Sequence, residues 1–377
     1  MERTKKILSF DPKEGNRRNS EGDFLRLKDG SIIFVYSEFL YNQYGDSSPC
    51  RISCIKSNDN GDNWSDPRVL MIPETFGGTN VSSVSLLRMQ NGDAAMLFMV
   101  VREETRIWHY DIYLARSNDE FESFYMVTDT TPDDYLGRYC VNNSRLRRLS
   151  SGRLIYPISL HPGCKKEKTG TDRKPCVTSH TLGAFMYSDD DGYTWKRSAE
   201  YVFPPMNKGL SGIQEGDVFE VYPGVIKCYF RTDAMYQYES ISFDNGDHWT
   251  VPQPSCFTSP CSPISIVRNP YSGKVYAFWN PIPAHNGRVK TNEFPTRSPF
   301  VVAEVSSDGR SIQWIDFVES DRHAGYGYTA VIFLSEEEAL LGYCAGSPTN
   351  NDINMLCRLT ISKVSLLPDP DAPKSLF

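Results

Sequence analysis

Short apolar runs alternate with polar turns along this chain, and no helix-type spacing of apolar residues persists for about ten residues or more. One figure recurs. Its first copy, EGDFLRLKDGSIIFVYS from Glu21 to Ser37, reads as two strands joined by a turn at Asp29-Gly30, a strong hairpin signal. The figure starts again at Asn80 (NVSSVSLLRMQNGDAAMLFMV), Asn142 (NNSRLRRLSSGRLIYPISL), Gln214 (QEGDVFEVYPGVIKCYF), Ser262 (SPISIVRNPYSGKVYAFWN) and Tyr328 (YTAVIFLSEEEALLGYC), at intervals of 48 to 72 residues. A period of that order signals copies of one supersecondary unit packed side by side.

After most hairpins comes a third apolar run and then a second repeated element. Three copies are intact: SNDNGDNW (Ser57 to Trp64), SDDDGYTW (Ser188 to Trp195) and SFDNGDHW (Ser242 to Trp249). Two are degenerate, SNDEFESF (Ser117 to Phe124) and SSDGRSIQW (Ser306 to Trp314). The Asp side chain suits capping of backbone N–H groups, the Gly suits a positive φ, and the Trp can plug between neighbouring sheets. Hairpin, third strand, aspartate turn and final strand make a four-stranded antiparallel unit. Six such units in radial order predict an all-β fold, a six-bladed β-propeller forming a single domain over residues 1–377. The segment from Met355 to Val364 is expected to complete the sixth unit beside Lys5 to Phe10, which removes free sheet edges.

Composition narrows the function. With 377 residues, 40% hydrophobic and 23% charged, the chain can bury a sizeable core, so disorder is excluded. The net charge of −7 comes without a basic run able to track a phosphate backbone, which argues against nucleic acid as a partner. No apolar stretch is long enough to span a bilayer, and the start MERTKKILSFDPKEG lacks the apolar core of a signal peptide. Two locations fit: the cytoplasm, or a secreted or periplasmic site for a mature chain without its leader. Oligomeric state is left open. Of ten cysteines, Cys54, Cys228, Cys344 and Cys357 sit in strand-like runs and read as buried thiols. The pairs Cys50 with Cys54 and Cys256 with Cys261 lack zinc-site spacing, so neither metal nor cofactor is expected.

The recurring SxDxGxTW turn is the Asp box, or BNR repeat, and over nearly the whole chain the sequence resembles the sialidase (neuraminidase) superfamily. Non-enzymatic propellers also carry Asp boxes, so site positions are matched one at a time. In a propeller the inner strands all start at one end of the central channel, which brings Glu21, Asp23, Asn80, Asn142, Asn143, Arg145, Gln214, Glu215 and Tyr328 forward as pocket candidates. Sialic acid carries a carboxylate on its anomeric carbon, and sialidases meet that carbon with a neutral Tyr activated by a Glu, unlike the two-carboxylate glycosidases. The resemblance implies Tyr328 as nucleophile, with Tyr326 as its neighbouring rival, and Glu215 as base. It implies Asp46, on the loop before the first Asp box, as acid and base. It also implies Arg231 and, after Asn280-Pro281, Arg297 as carboxylate-holding arginines, whose planar forks Lys cannot copy.

One departure stands out. Where sialidases place Arg-Ile-Pro in the first unit, this chain has NSEGDF, with Ser20 near the Arg position and Arg17 and Arg18 just upstream. Glu21 and Asp23 then bring negative charge toward the expected carboxylate site. Asn80, Asn142, Asn143 and Gln237 are candidates for bonding sugar hydroxyls, and His161 and His285 for bordering the pocket. The implied activity is that of a retaining exo-α-sialidase-like glycoside hydrolase acting on a glycan. The alternatives are a same-fold hydrolase or lyase for a uronic or neutral sugar, and a propeller that binds glycan or protein without catalysis.

Overall fold

The computed structural model describes residues 3–104, 107–134, 137–162, 180–204, 211–282, 297–347 and 356–369, with backbone alone at 103, 104 and 107–109. Among these residues lie twenty-five strands, a single-turn 3-10 segment at Pro73–Phe76 and no α-helix. Strand β1 (Thr4–Phe10) joins the last sheet. The chain then forms an antiparallel meander of β2 (Asn19–Arg26), β3 (Ile32–Phe39), β4 (Cys50–Ser57) and β5 (Arg68–Met71). A second follows, made of β6 (Asn80–Arg88), β7 (Ala94–Glu104), β8 (Ile107–Ser117) and β9 (Met126–Asp129). The two share an eight-stranded sheet through a parallel pairing of Cys50 with Asn80.

A five-stranded sheet comes next, in which β10 (Gly137–Cys140) and β11 (Arg147–Arg148) both pair with β12 (Leu154–Pro162), which continues to β13 (Leu182–Ser188) and β14 (Lys196–Arg197). Two four-stranded meanders follow. One is β15 (Gln214–Tyr222), β16 (Val225–Arg231), β17 (Tyr236–Ser242) and β18 (Gln253–Thr258); the other is β19 (Ser265–Arg268), β20 (Val275–Trp279), β21 (Phe300–Val305) and β22 (Ile312–Glu319). The last sheet holds β23 (Gly325–Phe333), β24 (Glu338–Gly346) and β25 (Arg358–Ser365), and β1 pairs with β25 as its outer strand. The expected closure by the N-terminal segment is therefore present, although Met355 lies outside the described residues.

The arrangement is all-β and propeller-like, because each sheet buries both faces against its neighbours in the chain. Val35 and Ile52 meet Met96 and Phe98; Leu97 and Ile112 meet Tyr156 and Ile158; Ile155 and Phe185 meet Val218 and Cys228. Tyr229 and Phe257 meet Ile266 and Trp279, and Phe278 and Val302 meet Leu341 and Tyr343. Finally Leu340 and Ile361 of the last sheet meet Phe34 and Tyr36 of the first meander. Cys54, Cys228, Cys344 and Cys357 are buried in these layers.

The aspartate turns lock this packing. In the copy at Ser188, the Asp190 carboxylate accepts from Thr194 N–H at 2.8 Å and from its hydroxyl at 2.6 Å, while Ser188 Oγ accepts from Gly192 N–H at 2.8 Å. Trp195 then donates to Gly192 O at 3.1 Å and packs on the core shared by its own sheet and the preceding meander. Trp249 likewise stacks on Phe185 of the sheet before it, 3.8 Å between ring centroids. The degenerate copy at Ser117 keeps the same bonds, with Ser123 N–H on Asp119 at 2.9 Å and Phe121 N–H on Ser117 Oγ at 2.8 Å. Phe121 takes the glycine position with φ 69°, and its ring is buried in the core, which offsets the strain.

Candidate active site

The pairing register slips by one residue near the start of four first strands. The slips fall between Ser20 and Asp23 in β2, Ser82 and Ser85 in β6, Gln214 and Asp217 in β15, and Gly327 and Ala330 in β23. Each slip holds a non-glycine residue at positive φ: Glu21 at 47°, Ser83 at 61°, Glu215 at 38° and Tyr328 at 59°. A bulge re-aims a side chain out of the pleat, and left-handed backbone at such residues costs roughly 1–3 kcal/mol apiece. A neighbouring meander restrains three of them in the same way. The N–H of Glu21 donates to Cys344 Sγ at 3.4 Å, that of Ser83 to Ser37 Oγ at 3.2 Å and that of Glu215 to Ser159 Oγ at 3.0 Å. All four strained residues line one cavity of about 660 Å³.

Within it, Tyr328 Oη donates to Glu215 Oε1 at 3.3 Å. Arg231 Nη1 lies 2.6 Å from Glu215 Oε2 and 3.4 Å from Tyr328 Oη. Burial, then the adjacent Glu215 charge, push the Tyr328 phenol up to about 12. Burial would also raise Glu215, but Arg231 and then Arg297 hold that carboxyl below its ordinary value. A protonated phenol thus sits beside an ionised carboxylate able to take its proton. Arg297 lies 5.3 Å from the centre of the Tyr328 ring, and its Nη2 donates to Cys261 O at 3.0 Å. Its Nη1 is buried without a partner, an orphan donor that costs free energy until an acceptor arrives. Cys261 Sγ accepts from Arg231 Nε at 3.2 Å, so one residue touches both arginines. Asn280 steadies the second by donating to Arg297 O at 2.8 Å.

Arg18, of the two upstream arginines, is the one that lines the cavity. Its Nη1 reaches Asp46 Oδ1 at 2.6 Å, its Nη2 reaches Glu21 Oε1 at 3.4 Å, and its guanidinium lies 4.5 Å over the Phe39 ring. Asp46 stands at the exposed rim. Desolvation would raise its carboxyl, yet Arg18 holds it below the ordinary value. Burial pushes Glu21 up despite Arg18, and Glu21 accepts from Ser83 Oγ at 2.8 Å.

The structure therefore gathers Tyr328, Glu215, Asp46, Arg231, Arg297, Arg18 and Glu21, with Asn142, Gln214 and His161 also in the lining. Five other candidates are corrected, since they lie outside that lining. Asp23 accepts from Leu86 N–H at 2.8 Å and laces β2 to β6. Arg145 is buried, donating to Ile264 O at 2.9 Å and lying 3.5 Å from Asp217. Gln237 donates to Ser259 Oγ at 2.8 Å and Ser262 O at 2.7 Å. Asn143 donates to Gly22 O at 2.8 Å and to the Tyr328 carbonyl at 3.2 Å, and Asn80 donates to Ser48 O at 2.6 Å and Asp46 O at 3.2 Å. These last two anchor site residues without facing the cavity. The bulge explains Asp23: plain alternation puts it on Glu21's face, and the slip between them breaks that alternation. Tyr326 packs with Phe300 and Tyr343 in the core, and His285 lies outside the described residues. Arg138 and Tyr110 line the cavity unanticipated, because neither belongs to a hairpin start or a motif. The sequence signal that could have found Arg138 is His161, its direct cross-strand partner.

A propeller-like all-β fold with a Tyr–Glu–Arg cluster in its cavity defines the class of this protein. Residues 51–341 match the family model of the BNR repeat-like domain, and the chain belongs to that family. Among solved structures it is similar to Hadza microbial sialidase Hz136, with 15% identity over 93% of this chain and 66% of that one, TM-score 0.69. A protein of unknown function from Dyadobacter fermentans DSM 18053 is also similar, with 15% identity over 97% of this chain and 100% of that one, TM-score 0.72. The NanB sialidase from Streptococcus pneumoniae shares 15% identity over 98% of this chain and 71% of its own, TM-score 0.65. The chain thus spans about two thirds of the Hz136 sialidase and the whole of the Dyadobacter protein. No curated protein matches it.

Proposed function

We propose that this protein is a single-domain six-bladed propeller and a sialidase-like retaining glycoside hydrolase, an exo-enzyme that releases a terminal acidic sugar from a glycan. The blade count is supported by the single parallel pairing that divides the eight-stranded sheet into two antiparallel meanders. The activity is supported by the sialidases among its structural neighbours and, above all, by the hydrogen-bonded Tyr328–Glu215 pair under Arg231 and Arg297.

In this reading the substrate carboxylate meets Arg231 and the orphaned Nη1 of Arg297, with Arg18 as the third arginine. Tyr328 Oη attacks the anomeric carbon as its proton passes to Glu215, and the bond to the leaving oxygen breaks as Asp46 protonates it. Water, deprotonated by Asp46, then attacks the same carbon. The sugar leaves Tyr328, whose oxygen recovers its proton from Glu215. A neutral phenol suits this step because a carboxylate nucleophile would approach the substrate's own carboxylate against like charge.

One observation favours a second sugar for the same machinery. Glu21 projects into the cavity and shares Arg18 with Asp46, which leaves two arginines instead of three for a substrate carboxylate and points to a uronic or neutral glycoside. Hydrolysis of a fluorogenic α-sialoside, beside uronic and neutral glycosides, separates the two in wild type and Tyr328→Phe. Sialoside turnover lost in the variant supports the first reading. Turnover of another glycoside only, again lost in the variant, supports the second, and silence throughout counts against both.

A further inference from the structure

The cavity has a second polar wall that the proposed chemistry does not use. Arg138, on β10, pairs across the ladder with His161 of β12. The Arg138 guanidinium lies 4.6 Å over the Tyr110 ring and donates to Tyr110 Oη at 3.3 Å. Tyr110 Oη in turn meets Ser47 Oγ, next to Asp46, at 2.8 Å. Asn142 contributes a third polar group: it is 4% exposed, and its Nδ2 has no partner. Burial, with Arg138 adding to it and Glu215 opposing, pushes the His161 ring down to about 4, so the imidazole on this wall is neutral beside the Arg138 cation.

We propose that Arg138, His161 and Asn142 form a subsite for an anionic group, a carboxylate or sulfate, on the sugar from which the terminal residue is cleaved. The assignment to the leaving side rests on the reading of Asp46 as the acid that protonates the leaving oxygen, since Ser47 and Tyr110 join the Asp46 loop to this wall. A guanidinium stacked on an aromatic face has its planar fork set in place, the geometry that pairs with carboxylate or sulfate oxygens. The Asn142 amide supplies a neutral donor beside it, and the fixed cation favours an anion over a hydroxyl.

The test compares kcat/KM for α2,8-linked disialic acid, whose leaving sugar carries a carboxylate, with that for α2,3-sialyllactose, whose leaving sugar is neutral. Wild type is expected to favour the diacidic substrate about tenfold or more, Arg138→Gln to lose that ratio, and Arg138→Lys to keep part of it. No preference in wild type, or a ratio unchanged in Arg138→Gln, overturns the subsite. If wild type cleaves neither sialoside, the reading of the terminal sugar fails and binding decides instead. Calorimetry then compares lactose 3′-sulfate with lactose on Tyr328→Phe protein, with and without Arg138→Gln. A sulfate preference erased by Arg138→Gln sustains the subsite; a preference that survives, or none at all, overturns it.

Discussion

At the scale of single residues, burial and neighbouring charge separate the acidities of Tyr328 and Glu215, the phenol rising to about 12 while two arginines hold the carboxyl down. That separation assigns donor and acceptor. Glu215→Gln removes the acceptor and should lower kcat by about 10²- to 10⁴-fold in steady-state assays with little change in melting temperature. Cys261 serves the same site from outside the reacting pair, through Arg231 Nε and the backbone bond to Arg297. Cys261→Ala should therefore raise KM about three- to tenfold while kcat changes less, and Cys261→Ser should recover most of the loss. Asp46 must be protonated to act as an acid, and Arg18 lowers its pKa. Removing that cation raises the carboxyl's pKa, so in Arg18→Gln the alkaline limb of the kcat/KM profile should move to higher pH by about one unit. An unmoved limb would separate Asp46 from the acid role.

At the scale of elements, the aspartate turns and hairpins were legible because their determinants are local. Ser188, Asp190, Gly192 and Trp195 bond one another within eight residues of chain. The degenerate turn at Ser117 shows how far that legibility extends, for Ser and Asp alone keep its bonds with Phe121 in the glycine place. Bulges were not legible. They arise from pairing with a partner strand, and Glu21, Ser83, Glu215 and Tyr328 carry no glycine to announce a positive φ. Hence the family resemblance brings forward Glu215 and Tyr328, which do line the cavity, whereas Asp23, turned away by the slip beside it, and Arg145, taken as a hairpin start, lie outside it. Arg138 was invisible for another reason: its place in the cavity depends on how separate sheets stack. Because the turns carry packing and no chemistry, Asp190→Ala should lower unfolding free energy by about 1–3 kcal/mol in urea titration and leave kcat/KM within about twofold of wild type.

At the scale of the whole molecule, residues far apart in sequence share one cavity because successive sheets pack face to face and the last returns to the first. Glu215 and Tyr328 lie on β15 and β23, and Arg18 and Asp46 flank strands at the other end of the chain. The site therefore depends on closure. β1 supplies it by pairing with β25, and Leu8 and Phe10 pack on the cluster that joins last sheet to first. Deleting residues 1–10 bares β25 as an edge and should lower the melting temperature by roughly 5 °C and promote aggregation, read by calorimetry and light scattering. Retained melting behaviour in the truncated chain would mean that the packed layers alone hold the ring.

In the proposed mechanism the sugar is carried on a tyrosine. Incubation with a fluorinated glycosyl fluoride of whichever sugar the enzyme turns over, followed by intact-mass and peptide mass spectrometry, tests it directly. One adduct per chain is expected, mapped to Tyr328 and absent from Tyr328→Phe. An adduct on Glu21, Asp46 or Glu215, or full turnover of substrate by Tyr328→Phe, would contradict it.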